Sequence, residues 1–229
     1  MKAVGVVLLA VISLALVTVP RPARGQSQAP LRLIAYLANE IQLSRKCTSA
    51  QAGAAVGERA FLEGLHSLGY RDGENVAIEC RSAEGKYERL DALAAELVQL
   101  KPAVLVASSA PASLAAKRAT STIPIVSVYT ADPVSLGLVT SLARPGANVT
   151  GISALVSDYV ALLKEAAPRT SRAGVLGHAA NPSWAIYKRE LEPAGRTLGI
   201  VLDFEPIQAA PEIEAAVAAM QRRGADALL

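Results

Sequence analysis

From residue 31 onward, the sequence alternates short apolar segments with longer amphipathic ones, and this alternation limits the possible folds more than any other feature. The short segments are rich in Val, Ile and Leu, which is typical of buried strands. The longer segments carry apolar residues at the spacing of one helix face. Strands that alternate with helices through short connections predict an α/β fold of parallel, doubly wound sheets with helices on both faces.

Four strand–helix units are predicted in the first half of the chain. The predicted strands span residues 31–37, 75–80, 103–108 and 123–128. The predicted helices span 54–68 and 87–100, followed by one that Pro111 opens and one that begins at Asp132 and Pro133. In the last helix, Asp132 can cap the first turn and Pro133 suits the first helical position. One face of the helix over 87–100 is apolar and consists of Leu90, Leu93, Ala94, Leu97 and Leu100.

The same pattern begins again after "ARPGANVTGIS" at residues 143–153. Helices are predicted over 155–166, 182–198 and 211–223, the second with Pro193 inside it, and strands over 173–177, 199–207 and 224–229. We therefore expect two lobes, an N-terminal α/β lobe over 26–150 and a partial second α/β lobe over 151–229. Because the last predicted strand is unpaired and its core unfinished, we expect this chain to be a fragment of a longer protein.

The first 25 residues differ from the rest of the chain. Lys2 precedes an uncharged apolar run over 3–19, and Ala23 and Gly25 place small residues before a possible cleavage point. This pattern predicts a secretory signal peptide over 1–25, cleaved after Gly25, and hence a periplasmic protein with no membrane span after cleavage. The alternative is a retained membrane anchor, for which the apolar run is just long enough.

The charge of the chain gives no support for nucleic-acid binding. The segment over 1–25 contains the three basic residues Lys2, Arg21 and Arg24 and no acidic ones, which reduces the 23 basic residues of the chain to 20, against 20 acidic ones. A net charge near zero lacks the basic surface that phosphate backbones require, so we expect no nucleic-acid partner.

The only two cysteines, Cys47 and Cys80, follow the first predicted strand and end the second. Both therefore lie at the same edge of the predicted sheet, in a protein predicted to reach an oxidising compartment. A disulfide between them and two unrelated thiols are both compatible with the sequence, which does not give their separation.

Several segments between residues 58 and 153 resemble one known family. They are "LGY…GENV…IE", "EGKYERLDALAAELV", "ATSTIPIV", "DPVSLGLV" and "LARPGANVTGIS". Together they resemble the ABC-transporter substrate-binding proteins of the tryptophan- and phenylalanine-binding type. The resemblance implies a two-lobed periplasmic-binding-protein fold of the first class, a small-molecule ligand in the cleft and a membrane permease as partner, with no cofactor. It also implies that family members continue past residue 229.

Independently of the resemblance, the expected strand order 2-1-3-4 places a crevice at the carboxyl ends of strands 1 and 3, where the order reverses. Ser108 and Ser109 follow strand 3 and precede a helix whose first-turn amides are free, which suits a ligand carboxylate. Ser109 is equally suited to cap its own helix without any ligand. Asn39, with Tyr36 and Glu40, lies at the end of strand 1 and is a further candidate.

The end of strand 4 contributes Tyr129, Thr130 and Asp132 to the same predicted cleft. Asp132 can accept a hydrogen bond from a ligand amine, and Tyr129 can offer its ring face. A plain capping role for Asp132 fits the sequence equally well.

In the second lobe, "HAANPSW" follows a predicted strand and begins a helix. Asn181, Ser183 and Trp184 could close over the ligand from the opposite side, although Trp184 also suits packing within its lobe. His178 is predicted to be a solvated loop histidine, and no metal site is predicted because no second ligand lies nearby.

No sequence motif of an enzyme is present, since the chain lacks G-x-S-x-G, H-E-x-x-H, a P-loop, C-x-x-C and the Rossmann glycine fingerprint. The sequence therefore predicts a binding protein, not an enzyme: an extracytoplasmic receptor that closes on a small solute, such as an amino acid, for delivery to a permease. Gly146 and Gly151 are predicted to allow the hinge rotation. The alternative is a ligand-sensing module for a signalling partner.

Overall fold

The computed structural model describes residues 31–39 and 56–229. A first sheet contains five parallel strands in the order β2-β1-β3-β4-β5. The strands are β1 Arg32–Ala38, β2 Val76–Ser82, β3 Val104–Ala107, β4 Ile125–Ala131 and β5 Val149–Ala154. The predicted order of strands 1 to 4 is confirmed. The predicted signal peptide, Glu40 and Cys47 lie outside the described residues.

Three helices cover the first sheet: α1 Val56–Ser67, α2 Leu90–Gln99 and α3 Ala110–Ala119. A 3₁₀ turn at Tyr87–Arg89 precedes α2. Helices α2 and α3 pack with Leu105 and Ile125 in one core cluster, whereas α1 packs with Ile78 in a separate cluster on the opposite face. The prediction of helices on both faces is therefore confirmed. The predicted apolar face of α2 ends at Leu97, because Leu100 follows the helix and is 44% exposed.

The helix predicted after β4 does not form. A single turn follows Asp132, which caps it by accepting a hydrogen bond from the backbone N–H of Ser135 at 3.0 Å. Gly137 then ends the turn in a left-handed conformation with φ of 68°. The N–H of Leu138 bonds back to the carbonyl of Pro133 at 2.8 Å, which is the hydrogen bond of a glycine-closed helix end. The predicted start was correct, but the glycine close behind it stops the helix after one turn.

Strands β4 and β5 pair through a bulge, in which Val128 and Tyr129 lie opposite the single residue Ile152. Gly151 makes this pairing possible, because its φ is 152° and a Cβ atom there would lie 1.9 Å from the carbonyl oxygen of Ser127. No other residue type tolerates such an approach of two backbones.

A second sheet contains three parallel strands in the order β7-β6-β8. Its strands are β6 Arg172–His178, β7 Val201–Ile207 and β8 Ala227–Leu228, and its helices are α4 Asp158–Ala166, α5 Trp184–Thr197 and α6 Ile213–Arg222. A 3₁₀ turn at Ala210–Glu212 precedes α6. Each predicted strand and helix of this half is present, and α5 continues through Pro193.

The two sheets belong to one compact unit over Leu31–Leu229. A core cluster joins Ala131 of β4 and Val156 of the β5–α4 crossover to residues of the second half, including Val175 of β6 and Ile186 of α5. The two sheets therefore share a buried core on the side of the crossover. Strand β5 of the first sheet runs past residue 150 to Ala154. The predicted lobe boundary at residue 150 stays a prediction. Among the described residues, no helix combines the length and apolar character needed to cross a membrane.

Candidate functional site

The carboxyl ends of β1, β3 and β4 meet at one edge of the first sheet, as the topology requires. The N–H of Ser108, directly after β3, donates to the carbonyl of Leu37 in β1 at 3.0 Å, which fixes the β3 end beside the β1 end. Ser109 caps α3, since its hydroxyl oxygen accepts from the N–H of Ala112 at 3.4 Å. Both serines are half-buried, and ligand contact by either stays a prediction.

Asn39 is almost completely buried at the end of β1, with 2% of its surface exposed. Its side-chain Oδ1 has no hydrogen-bond partner among the described residues. Its backbone carbonyl accepts from the N–H of Gly85 at 2.8 Å, which holds the segment after β2 against the end of β1. A buried acceptor without a donor is costly by about 1–3 kcal/mol, so Asn39 needs an explanation beyond packing.

The bulge turns Tyr129 and Thr130 in opposite directions. Tyr129 has a left-handed φ of 55° and is 64% exposed. Thr130 is buried, and its hydroxyl lies 2.7 Å from that of Ser127, which in turn lies 2.7 Å from the hydroxyl of Ser113 in α3. Thr130 therefore uses its hydroxyl inside the lobe, whereas the Tyr129 ring is exposed, and ligand contact by either residue stays a prediction.

Both carboxylate oxygens of Asp132 have partners. Oδ1 accepts from the backbone N–H of Ser135, and Oδ2 accepts from the Ser135 hydroxyl and from Nη2 of Arg189 at 2.7 Å. The Ser135 hydroxyl and amide, with the Arg189 guanidinium, hold the pKa of Asp132 below its ordinary value. Asp132 is thus a cap, as the sequence allowed, and also half of an ion pair between the lobes. No pattern in the sequence indicated Arg189 as a partner, because α5 is distant from Asp132 along the chain.

In the second lobe, Asn181 shapes the loop after β6 by accepting from the N–H of Ser183 at 2.9 Å. Ser183 is fully buried, and its hydroxyl has no partner among the described residues. Trp184 packs within the lobe, because its ring lies edge-on to Phe204 with 6.0 Å between centroids. Its ring also occupies the space above Gly177, where a Cβ atom would lie 2.1 Å away. The packing alternative is therefore what the structure supports for Trp184.

His178 is not the solvated loop histidine that was predicted. It ends β6 and is partly buried, and the centroid of its ring lies 4.5 Å from that of Tyr87 in the first lobe, with 47° between the planes. Its Nδ1 accepts from the N–H of Ala180 at 3.1 Å, which fixes the ring orientation. The sequence missed this contact because the two residues come from different lobes.

Cys80 is disulfide-bonded, while the only other cysteine, Cys47, lies outside the described residues, so their pairing stays a prediction. The described residues contain no cluster of His, Cys, Asp and Glu side chains that could hold a metal ion. The candidate site thus groups hydroxyls, amides and rings at the strand ends, with the Asp132–Arg189 ion pair beside them, and such a set of groups suits a small polar organic ligand.

Two parallel α/β sheets whose strand ends face each other define the class of two-lobed periplasmic binding proteins. The sequence profile of the family described as "ABC transporter substrate binding protein" matches residues 53–228, and this chain belongs to that family. Its tyrosine-binding protein relative from Clostridioides difficile (strain R20291) is 35% identical over 121 residues, which are 52% of this chain and 35% of that protein.

Solved structures show the same fold. A conserved domain protein from Vibrio cholerae O1 biovar El Tor is 27% identical, with a TM-score of 0.71, and the match covers 86% of this chain and 64% of that one. An ABC domain in complex with L-Trp from Streptococcus pneumonia is 23% identical, with a TM-score of 0.70 and the same coverage. This chain therefore spans less than two thirds of the length of these relatives.

Proposed function

We propose that this chain is the ligand-capturing part of an extracytoplasmic receptor, which closes two lobes on an amino acid and delivers it to the membrane permease of an ABC transporter. Membership of the substrate-binding family supports the receptor role. The predicted signal peptide over 1–25 supports a periplasmic location. Binding is the only chemistry proposed, with no bond made or broken.

The observation that carries this proposal is a pair of buried polar atoms, one from each lobe, that have no hydrogen-bond partner in the described part of the chain. Asn39 Oδ1 lies at the end of β1, and Ser183 Oγ lies just after β6. A buried polar group without a partner costs about 1–3 kcal/mol, and a bound ligand is one source of the missing hydrogen bond. An acceptor and a hydroxyl on facing lobes suit a ligand that carries both donors and acceptors.

The groups around the cleft favour an α-amino acid. Asn39 Oδ1 only accepts, so it suits an ammonium group, while Ser108 and the start of α3 suit a carboxylate. The exposed ring of Tyr129 suits an apolar or aromatic side chain. The 35% identity to a tyrosine-binding protein supports this ligand class and makes L-tyrosine the first probe.

A thermal-shift screen of the purified protein against L-amino acids and small carboxylates tests the proposal. We expect L-tyrosine or a related amino acid to raise the melting temperature, because a ligand that binds only the native state stabilises it by mass action. A cooperative melting curve that no amino acid moves would contradict the proposed ligand class.

Substitution of the unpaired groups tests the cleft itself. Asn39→Leu keeps the number of side-chain heavy atoms but replaces the buried acceptor by a bulkier methyl group, so we expect the free protein still to melt cooperatively while its response to the ligand is lost. Ser183→Ala should likewise leave the free protein intact and weaken the response to the ligand.

Asn75→Leu serves as the control away from the candidate site. The Asn75 side chain bonds to the backbone of Arg71 and Gly69, so this variant should lower stability and preserve the response to the ligand. An unchanged ligand response in Asn39→Leu would place the ligand elsewhere.

A further inference from the structure

The contact between Tyr87 and His178 lies on the side of the cleft opposite to the crossover. The described chain passes from the first sheet to the second after β5, and β2 is the strand furthest from β5 in the order β2-β1-β3-β4-β5. Tyr87 follows β2, so four strand spacings, roughly 19 Å, separate its edge of the sheet from the crossover edge. A rotation about the crossover therefore moves Tyr87 relative to the second lobe more than it moves residues near β4.

Tyr87 is presented by a braced segment. The segment bends back through Glu84 and Gly85, which both have left-handed φ angles of 55° and 77°. Nη1 of Arg89 donates to Oε2 of Glu84 at 2.7 Å and closes the segment on itself. Because the N–H of Gly85 also donates to the carbonyl of Asn39, the segment is attached to the residue that carries the unpaired buried acceptor.

His178 is held equally firmly in the second lobe. It is the last residue of β6, and its Nδ1 accepts from the N–H of Ala180. The carbonyl of His178 accepts from the N–H of Asn181 at 2.9 Å, which connects it to the loop that carries Ser183. Each ring is thus attached to a segment next to a buried polar atom, Asn39 Oδ1 or Ser183 Oγ, for which the described residues supply no partner.

We propose that Tyr87 and His178 form an aromatic latch at the mouth of the cleft, which holds the lobes closed and sets the rate at which a bound ligand escapes. The latch needs no ligand to form, because the rings are already in contact. The part concerning ligand escape rests on the proposed function; the part concerning closure does not. An aromatic pair of this kind changes an equilibrium by about 2- to 12-fold, which is enough to shift a two-lobed protein between closed and open populations.

Two substitutions of His178 separate the ring from its hydrogen bond. His178→Asn keeps an acceptor for Ala180 and deletes the ring, whereas His178→Phe keeps a ring and deletes the acceptor. His66→Asn is the matched control, because His66 is the only other histidine and lies exposed on α1 of the first lobe.

The first measurement is the radius of gyration of the ligand-free protein by small-angle X-ray scattering. The second is the dissociation of L-tyrosine after rapid dilution, followed by the fluorescence of Trp184, the only tryptophan.

We expect His178→Asn to have a larger radius of gyration than the parent and to release L-tyrosine about 2- to 12-fold faster, with an unchanged association rate. His178→Phe and His66→Asn should match the parent in both measurements. The proposal is overturned if His178→Asn matches the parent, or if His178→Phe opens as far as His178→Asn does. If the parent does not bind L-tyrosine, the proposed ligand fails, and the scattering comparison alone decides the latch.

Discussion

Asp132 shows how one side chain meets two demands at the end of a strand. Its φ of 39° is left-handed, a conformation that Asp and Asn adopt more readily than other non-glycine residues. From there its carboxylate caps the following turn and also reaches Arg189 on the opposite lobe. The cap is a local interaction that the sequence predicted, while the ion pair depends on how the lobes meet.

Substitutions of Asp132 separate these two roles. We expect Asp132→Asn to cost only a few tenths of a kcal/mol, because Asn retains the cap and the left-handed backbone and loses an ion pair with a 56% exposed Arg189 side chain. Asp132→Ala should cost about 1–2 kcal/mol, since it loses the cap and strains the backbone. Urea unfolding measures both free energies.

The pH dependence provides a second test of Asp132. Its pKa is lowered in the folded state, so its contribution to stability is present above the pKa of the unfolded chain, about 3.9, and is lost as the pH falls further. The difference in unfolding free energy between the parent and Asp132→Asn should therefore shrink below about pH 4.

In the urea experiment at neutral pH, a larger loss of unfolding free energy in Asp132→Asn than in Asp132→Ala would contradict the capping role.

At the scale of elements, the bulge between β4 and β5 decides which side chains at the end of β4 are exposed. The bulge shifts the register between Ser127 and Thr130, so Tyr129 is exposed while Thr130 stays in the core. Without the extra residue in β4, the alternation of a strand would place these side chains differently. The glycine that permits the bulge lies in β5, on the neighbouring strand.

Three glycine-to-alanine substitutions test this account of the bulge. Gly151→Ala should destabilise the protein by about 3 kcal/mol, because the new Cβ atom would lie 1.9 Å from the Ser127 carbonyl oxygen. Gly69→Ala, at a positive φ in open space, should cost about 1 kcal/mol. Gly64→Ala, exposed within α1, should stabilise by about 0.5–1 kcal/mol. Denaturant titration ranks the three, and equal costs at Gly151 and Gly69 would refute the close approach.

At the scale of the whole molecule, the two sheets share a core on the crossover side. The cluster that contains Val175 of β6 and Ile186 of α5 also contains Ala131 of β4. Small domains that share buried surface unfold together, whereas lobes joined only by a linker unfold separately. The arrangement therefore predicts one cooperative transition.

Core substitutions in each half test this cooperativity. Leu97→Ala, in the first-sheet core, should lower stability by about 3 kcal/mol, and the loss should appear equally in circular dichroism and in the fluorescence of Trp184 in the second lobe. Ile186→Ala should behave in the same way from the other side. Leu68→Ala, 74% exposed, is the control and should change neither probe. A Trp184 transition that Leu97→Ala leaves in place would mean that the lobes unfold independently.

The sequence by itself determined the elements and their order. Runs of β-branched residues and the apolar face of α2 specify local structure through contacts between near neighbours, so both sheets and nearly every helix could be predicted. Gly137 is a local stop signal for a helix, so the single turn after Asp132 is also a property of the local sequence. For the same reason, the strand-end residues of the candidate site were found from topology alone.

Only the tertiary structure decided which of those residues face one another. The Asp132–Arg189 pair, the Tyr87–His178 contact and the unpaired atoms of Asn39 and Ser183 all depend on segments that are far apart in the chain. Neither periodicity nor capping carries information about such pairs, because burial and contact between lobes arise from packing of the whole molecule. The sequence therefore predicted where a ligand cleft would form, and the fold decided which of the side chains at the strand ends are in contact.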